Sequence, residues 1–389
     1  MNSDLRIFGG PRRYLQGPGA IGNLAAETLH FGRRPILLTD RVVCDALENS
    51  LRPTFPNLEA VLFRGQCTAS EIARVAQIGR SAACDVVIGA GGGKALDVAK
   101  AVASDLGREV VIVPTVASND AATSRLSVIY DESNAIAGVR TMALNPCVVV
   151  VDTALILAAP KRFFVAGIGD ALSKHFEAKQ CRDASGRNFH GGHPPLLAQV
   201  MADACYHTLR EYAVHALADL ASRQLTDAFE RTVEATVLLS GLAFESGGLS
   251  IAHALTRGLS AAPDFAEALH GEQVAYGLIV QRVIEGASAD EMRDLSGFMA
   301  AIGLPRNLRE LAGRDVVSGE SIETIAKRTV QDASHHLRHF PRPIANTDLI
   351  GAMRVVEDAS LAFGRSSDES GFRSARDLSG PTDRDLTLR

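Results

Sequence analysis

The first part of the chain alternates short, almost continuous apolar runs with longer amphipathic stretches. Pro35–Asp40, Leu58–Phe63, Asp85–Ile88, Val110–Val113 and Val148–Val151 are rich in Val, Ile and Leu, with little polar alternation. Strands covered on both faces by crossover helices read this way, so the pattern predicts a parallel α/β sheet. Ala69–Ala82 and Lys94–Asp105 carry helical periodicity between those runs. Leu126–Tyr130 and Ile136–Met142 flank the turn formers Asp131 to Asn134 and predict an inserted β-hairpin.

From about Pro160 the strand signal ends. Arg162–Lys179, Leu196–Ser222, Gln224–Glu245, Glu272–Glu285, Ala289–Ala301 and Thr347–Phe363 read as amphipathic helices, with Asp183–Pro195 as a loop. At 389 residues the chain is long for one core. The expected organisation is an α/β nucleotide-binding domain with a parallel sheet over 1–160 and an all-α domain over 161–364. The polar segment 365–389 has too few apolar residues to bury and is expected to be disordered. Ligands of such sheets sit beyond the carboxyl ends of the strands, which directs the search to the cleft between the two halves.

Composition matters mainly by exclusion. A formal charge of −5 and a pI near 6.1 give no basic face for nucleic acid. No apolar run reaches the roughly eighteen residues of a membrane span, and the N-terminus lacks a signal-peptide core, so a cytoplasmic protein is expected. The scattered cysteines 44, 67, 84, 147, 181 and 205 form no metal-type spacing and read as reduced, packed thiols.

The sharpest motif follows the third apolar run. Gly89, Gly91, Gly92 and Gly93 lead directly into Lys94 and a helix. Glycines let a backbone approach a pyrophosphate, and the helix start offers free N–H groups. The spacing is neither GxGxxG nor GxxxxGK[ST]. A tight turn needs fewer glycines, so phosphate binding is the favoured reading. Asp40, ending the first strong run, suits the ribose hydroxyls of NAD and would repel a 2′-phosphate, although it could equally cap a turn.

A metal set is a weaker signal by spacing alone. Asp170 is placed at the start of a helix, where it could simply be an N-cap. His253 is a polar position in an apolar helix, and His270 lies at a loop-to-helix junction. One carboxylate and two imidazoles can hold a metal with positions open for an alcohol. With eleven histidines in the chain, His175, His207, His335 and His336 compete on equal terms.

The motifs together resemble the glycerol dehydrogenases, within the fold superfamily of dehydroquinate synthase and the iron-containing alcohol dehydrogenases. The resemblance rests on Tyr14–Gly17, Gly91–Lys100, Val113–Ala121, Leu126–Tyr130, Val165–Leu172, Leu239–Gly248 and His270–Gly277. It implies oxidation of a small polyol, NAD as cofactor, and a zinc ion held by Asp170, His253 and His270. It places Asp40 at the adenosine ribose, Gly92, Gly93 and Lys94 at the pyrophosphate, and Thr115, Ser118, Ser124, Leu126 and Tyr130 toward the nicotinamide. Asp120 matches a residue that hydrogen-bonds substrate hydroxyls; Asp120 and His253 are candidates for proton handling. The iron-type relatives carry a fourth ligand where this chain has Lys174. His175, one residue or about 100° further round a helix, should point off the site, and three ligands favour Zn2+ over Fe2+.

The resemblance also implies a homo-oligomer, with an octamer as one form. Asn119, Ala121–Thr123, Thr256 and Asp264–Leu269 depart from the family pattern around the substrate position. They leave open another polyol, a cyclitol, an amino alcohol or glycerol 1-phosphate, or a cyclase using NAD transiently. For a phosphate-bearing substrate the nearby cations read from sequence are Arg125 and Arg257.

Overall fold

The computed structural model describes residues 4–131, 136–314 and 318–365. The expected disorder of the tail and the turn residues after Asp131 fall outside them. Among the described residues there are eight strands: β1 (Arg13–Gly17), β2 (Pro35–Thr39), β3 (Glu59–Leu62), β4 (Val86–Gly91), β5 (Glu109–Pro114), β6 (Leu126–Tyr130), β7 (Ile136–Thr141) and β8 (Val148–Asp152). Six form one parallel sheet in the order β1-β8-β5-β4-β2-β3, while β6 and β7 make a separate antiparallel hairpin.

The uninterrupted apolar runs have a direct cause. Ile36, Leu38, Val87, Val149 and Val151 pack into one buried cluster, and Leu37, Val86, Ile88, Val148 and Val150 into another. Alternate side chains therefore reach opposite faces, and both faces are covered. Each such side chain contributes roughly 1.5–3 kcal/mol of burial. β1 was not readable as a strand. It is an edge strand with Arg13 exposed and the other four residues only partly buried, so Arg13-Tyr-Leu-Gln-Gly17 carries no apolar run.

Beyond β8 the described residues contain helices and no further strand. Leu196–Ser222 forms a single helix with the expected bounds. Arg162–Lys179 does not: it divides into Lys161–Leu172 and Lys174–Asp183. The Ser173 hydroxyl and the Lys174 ammonium both donate to the Asp170 carbonyl, each at 2.9 Å, and so compete for an acceptor of the helix ladder. Asp170 accordingly sits in the last turn of a helix, not at a helix start, and the N-cap reading fails. Gln224–Glu245 is also interrupted. Helices Asp227–Glu234 and Ser240–Gly247 are joined by a π-helical turn at Ala235–Leu239.

The larger apolar cluster continues from the sheet into the helices, through Phe164, Ile168, Ile251, Leu255 and Val274. Gly167 makes the approach possible, because a Cβ there would lie 2.1 Å from the Ala117 carbonyl oxygen. All six cysteines are buried and unpaired. No single described helix is long and apolar enough to cross a membrane.

Candidate active site

Strand register assembles the first half of the site. Thr39 pairs with Ala90, and Gly91 with Pro114, so Asp40, Gly92 and Thr115 follow the ends of three adjacent strands. Gly92 caps the helix Gly93–Leu106. Gly91 has φ +149°, and a Cβ there would lie 2.6 Å from Asp40 Oδ2. The Asp40 carboxylate thus covers the glycine turn and accepts a hydrogen bond from the Gly92 N–H, while burial raises its pKa. A Cβ on Gly93 would strike the Asn119 amide, which closes the turn from the other side. Lys94 reaches across to Gln66 Oε1 at 2.7 Å and lies 4.7 Å from the Tyr130 ring. Burial pushes the Tyr130 hydroxyl up to about 12.

Thr115, Ser118 and Ser124 lie on the segment between β5 and β6, and Leu126 begins β6; this stretch is pinned from two directions. Lys100, fully buried, pairs with Asp97 at 2.8 Å and donates to the carbonyls of Ala121 and Leu126. From the helical half, Glu245 accepts from the Arg125 N–H at 3.0 Å and from the Asn145 amide at 2.5 Å. Both anchors were missed from sequence. An isolated Lys or Glu in an amphipathic helix reads as solvated until its distant partner is known.

The second half of the site joins three helices. Asp170 comes from Lys161–Leu172, His253 from the first turn of Ile251–Ala261, and His270 opens His270–Ile284. Glu272 fixes that last start by accepting from the Leu269 N–H, and it also pairs with Arg162. Gly271 lets the two helices touch: a Cβ would fall 1.7 Å from the Ala166 carbonyl oxygen. His253 Nε2 is 3.2 Å, and His270 Nε2 4.0 Å, from Asp170 Oδ1. One donor atom from each of the three residues lies within 4.8 Å of the others.

Two observations test whether a metal fits there. The spacing approaches about 3.3 Å, the edge of a tetrahedron with bonds of roughly 2.0–2.1 Å. Asp170 Oδ2 is also buried without a hydrogen-bond partner, a demanding position for a carboxylate oxygen that a cation would satisfy. The donor set fits a divalent ion. His175 points elsewhere, with Nδ1 2.7 Å from Asp203 Oδ1 and its ring stacked on Tyr206.

Three further side chains surround the set, and none was given a role from sequence. The Glu177 carboxylate accepts from His253 Nδ1 at 2.6 Å and from the His253 and Ser250 N–H groups. This fixes the ring and leaves Nε2 aimed at Asp170. Burial, the largest influence, lowers the His253 pKa, but the Glu177 charge and the hydrogen bonds to Asp170 and Glu177 together raise it. Ser240, placed by the π turn, donates to Asp120 Oδ2 at 2.7 Å. Lys174 is fully buried, paired with Asp170 Oδ1 and 3.2 Å from Asp120 Oδ2. Lys174 is thus a buried cation beside the set that the sequence reading, which named Arg125 and Arg257, did not count. Burial opposes the charge on Asp170, yet Lys174, His253 and His270 hold its carboxyl well below the usual range. Asp120 goes the other way, raised by burial and by Asp170.

A nucleotide-type glycine turn facing a helical metal-type centre finds its counterpart among known proteins. The family described as iron-containing alcohol dehydrogenase matches residues 11–153, and the chain is an alcohol dehydrogenase. Glycerol dehydrogenase of Thermotoga maritima is 39% identical over 350 residues, covering 89% of this chain and 95% of that one. The solved structure of a probable glycerol dehydrogenase from Sinorhizobium meliloti is 37% identical. It covers 93% of this chain and 99% of its own, with a TM-score of 0.85. That of Schizosaccharomyces pombe glycerol dehydrogenase is 32% identical, covers 95% and 94%, and has a TM-score of 0.88. The chain belongs to the glycerol dehydrogenase family, whose membership implies NAD and a divalent metal.

Proposed function

We propose that this dehydrogenase oxidises a small polyol of the glycerol type, using NAD and a zinc ion held by Asp170, His253 and His270. The carrying observation is the buried Asp170 carboxylate, with Oδ1 3.2 and 4.0 Å from two imidazole nitrogens and Oδ2 without a hydrogen-bond partner. Three nitrogen and oxygen donors, with a lysine in the next position along, suit zinc better than iron. Bound in this cleft, the metal supplies Lewis-acid polarisation of a hydroxyl and NAD supplies the hydride acceptor.

In this reading the labour divides between residues 1–160 and 161–364. Gly92, Gly93 and the Lys94 ammonium receive the pyrophosphate, and Asp40 accepts from the adenosine ribose hydroxyls. Thr115, Ser118, Ser124, Leu126 and Tyr130 line the nicotinamide side, held in place by Lys100 and Glu245. Asp120 has one carboxylate oxygen held by Ser240 and Lys174. The other accepts a hydrogen bond from the hydroxyl of the polyol next to the reacting carbon, which orients the carbinol C–H. Glu177 keeps His253 in one tautomer throughout.

The test is NADH formation by the purified chain with glycerol, 1,2-propanediol, butanediols, cyclitols and glycerol phosphate. A small diol or triol should be oxidised, with activity lost to a chelator and restored by Zn2+. No NADH from any of these alcohols in the zinc-loaded protein would overturn the reading.

A further inference from the structure

Lys174 occupies an unusual place. Its side chain is completely buried. The ammonium is hydrogen-bonded to Asp170 Oδ1 and lies 2.9 Å from the Asp170 carbonyl oxygen. It is 3.2 Å from Asp120 Oδ2 and 3.3 Å from His253 Nε2. A buried ammonium is tolerated only where carboxylates surround it, and here two do so directly. Asp170 Oδ1 is also the Asp170 oxygen that pairs with both imidazoles, 3.2 Å from His253 Nε2 and 4.0 Å from His270 Nε2. An ammonium and a divalent ion cannot share that oxygen at contact distance without strong repulsion in so buried a place.

We propose that Lys174 is a resident cation of the metal site, keeping Asp170, Asp120 and His253 assembled before a metal arrives and lowering the site's affinity for it. The inference rests on the reading of Asp170, His253 and His270 as metal ligands. A divalent ion entering the site displaces the ammonium from Asp170. The long, unbranched lysine side chain then stays with Asp120, whose Oδ2 Ser240 already holds. Lys174 is thus a positioning residue that links metal occupancy to the orientation of Asp120.

The test uses the full chain stripped of metal, as wild type, Lys174→Met and Ser240→Ala. Two quantities are measured: the zinc Kd, by competition with a chromophoric chelator, and the melting temperature with and without zinc. Lys174→Met should bind zinc at least about ten-fold more tightly, because the repelling charge is gone. Its metal-free form should melt below metal-free wild type, and zinc should raise its melting temperature by more. Ser240→Ala disturbs Asp120 without changing the charge, and should stay within about three-fold of the wild-type Kd. If metal-free Lys174→Met does not fold, zinc release from the loaded variant into chelator replaces the Kd and should be slowed about ten-fold. An unchanged Kd or release rate in Lys174→Met overturns the proposal. A wild type that binds no zinc removes the metal assignment itself, and this inference with it.

Discussion

The two halves of the site are built on different principles. The glycine turn is made of backbone: register brings three strand ends together, and Gly91 and Gly93 are defined by the side chains that leave them no room. The metal-type centre is made of side chains whose charges oppose one another, with Asp120, Asp170, Glu177, Lys174 and His253 all buried. Change in the first half is a matter of space. In the second it is a matter of charge balance, so neighbours can compensate for or worsen the loss of one group.

The largest expected effect tests whether space also matters in the charged half. Gly271→Ala puts a methyl group against the Ala166 backbone, which cannot move without separating the helices that carry Asp170 and His270. We expect about 3 kcal/mol or more of destabilisation in denaturant unfolding. A value near zero would mean that the centre tolerates separation of its helices. Next, Glu177→Gln removes the carboxylate behind His253 with almost no change of shape. Metal affinity should fall roughly 10–100-fold, read by chelator competition, while NADH binding is unchanged. Loss of both would erase the distinction between the halves.

Smallest is Asp40→Ala, which deletes one carboxylate from the glycine turn. The KM for NAD should rise about ten-fold, with discrimination against NADP relaxed and metal content untouched. A change in metal content would show that the two halves are not separable.

How much of this was legible in the chain depended on how far the reasons lay from the residues. The doubly covered strands declared themselves because every residue of Val148–Val151 is buried whichever face it meets. Edge strand β1 lacked that constraint. The glycine turn was readable because its cause is local. Asp170, His253 and His270 were found by resemblance, and their convergence needed three helices whose packing spacing does not encode. Glu177 lies 76 residues from His253, and Ser240 lies 120 from Asp120. Their roles exist only in the folded chain. Lys174 was weighed as an empty ligand position, because a buried charge is intelligible only once its counter-charges are known.

The π turn at Ala235–Leu239 has a consequence for how this protein can vary in length. It carries more residues per turn than the helices it joins. Five π residues turn through about the same angle as four α residues, so deleting one residue there would regularise the helix and leave Ser240–Gly247 nearly in phase. Ser240 would stay beside Asp120, and Glu245 beside Arg125. The same deletion in the regular helix Asp227–Glu234 would rotate both away by about 100° in one event. The π turn works like a slack link, the place where this helix can lose a residue without losing its register.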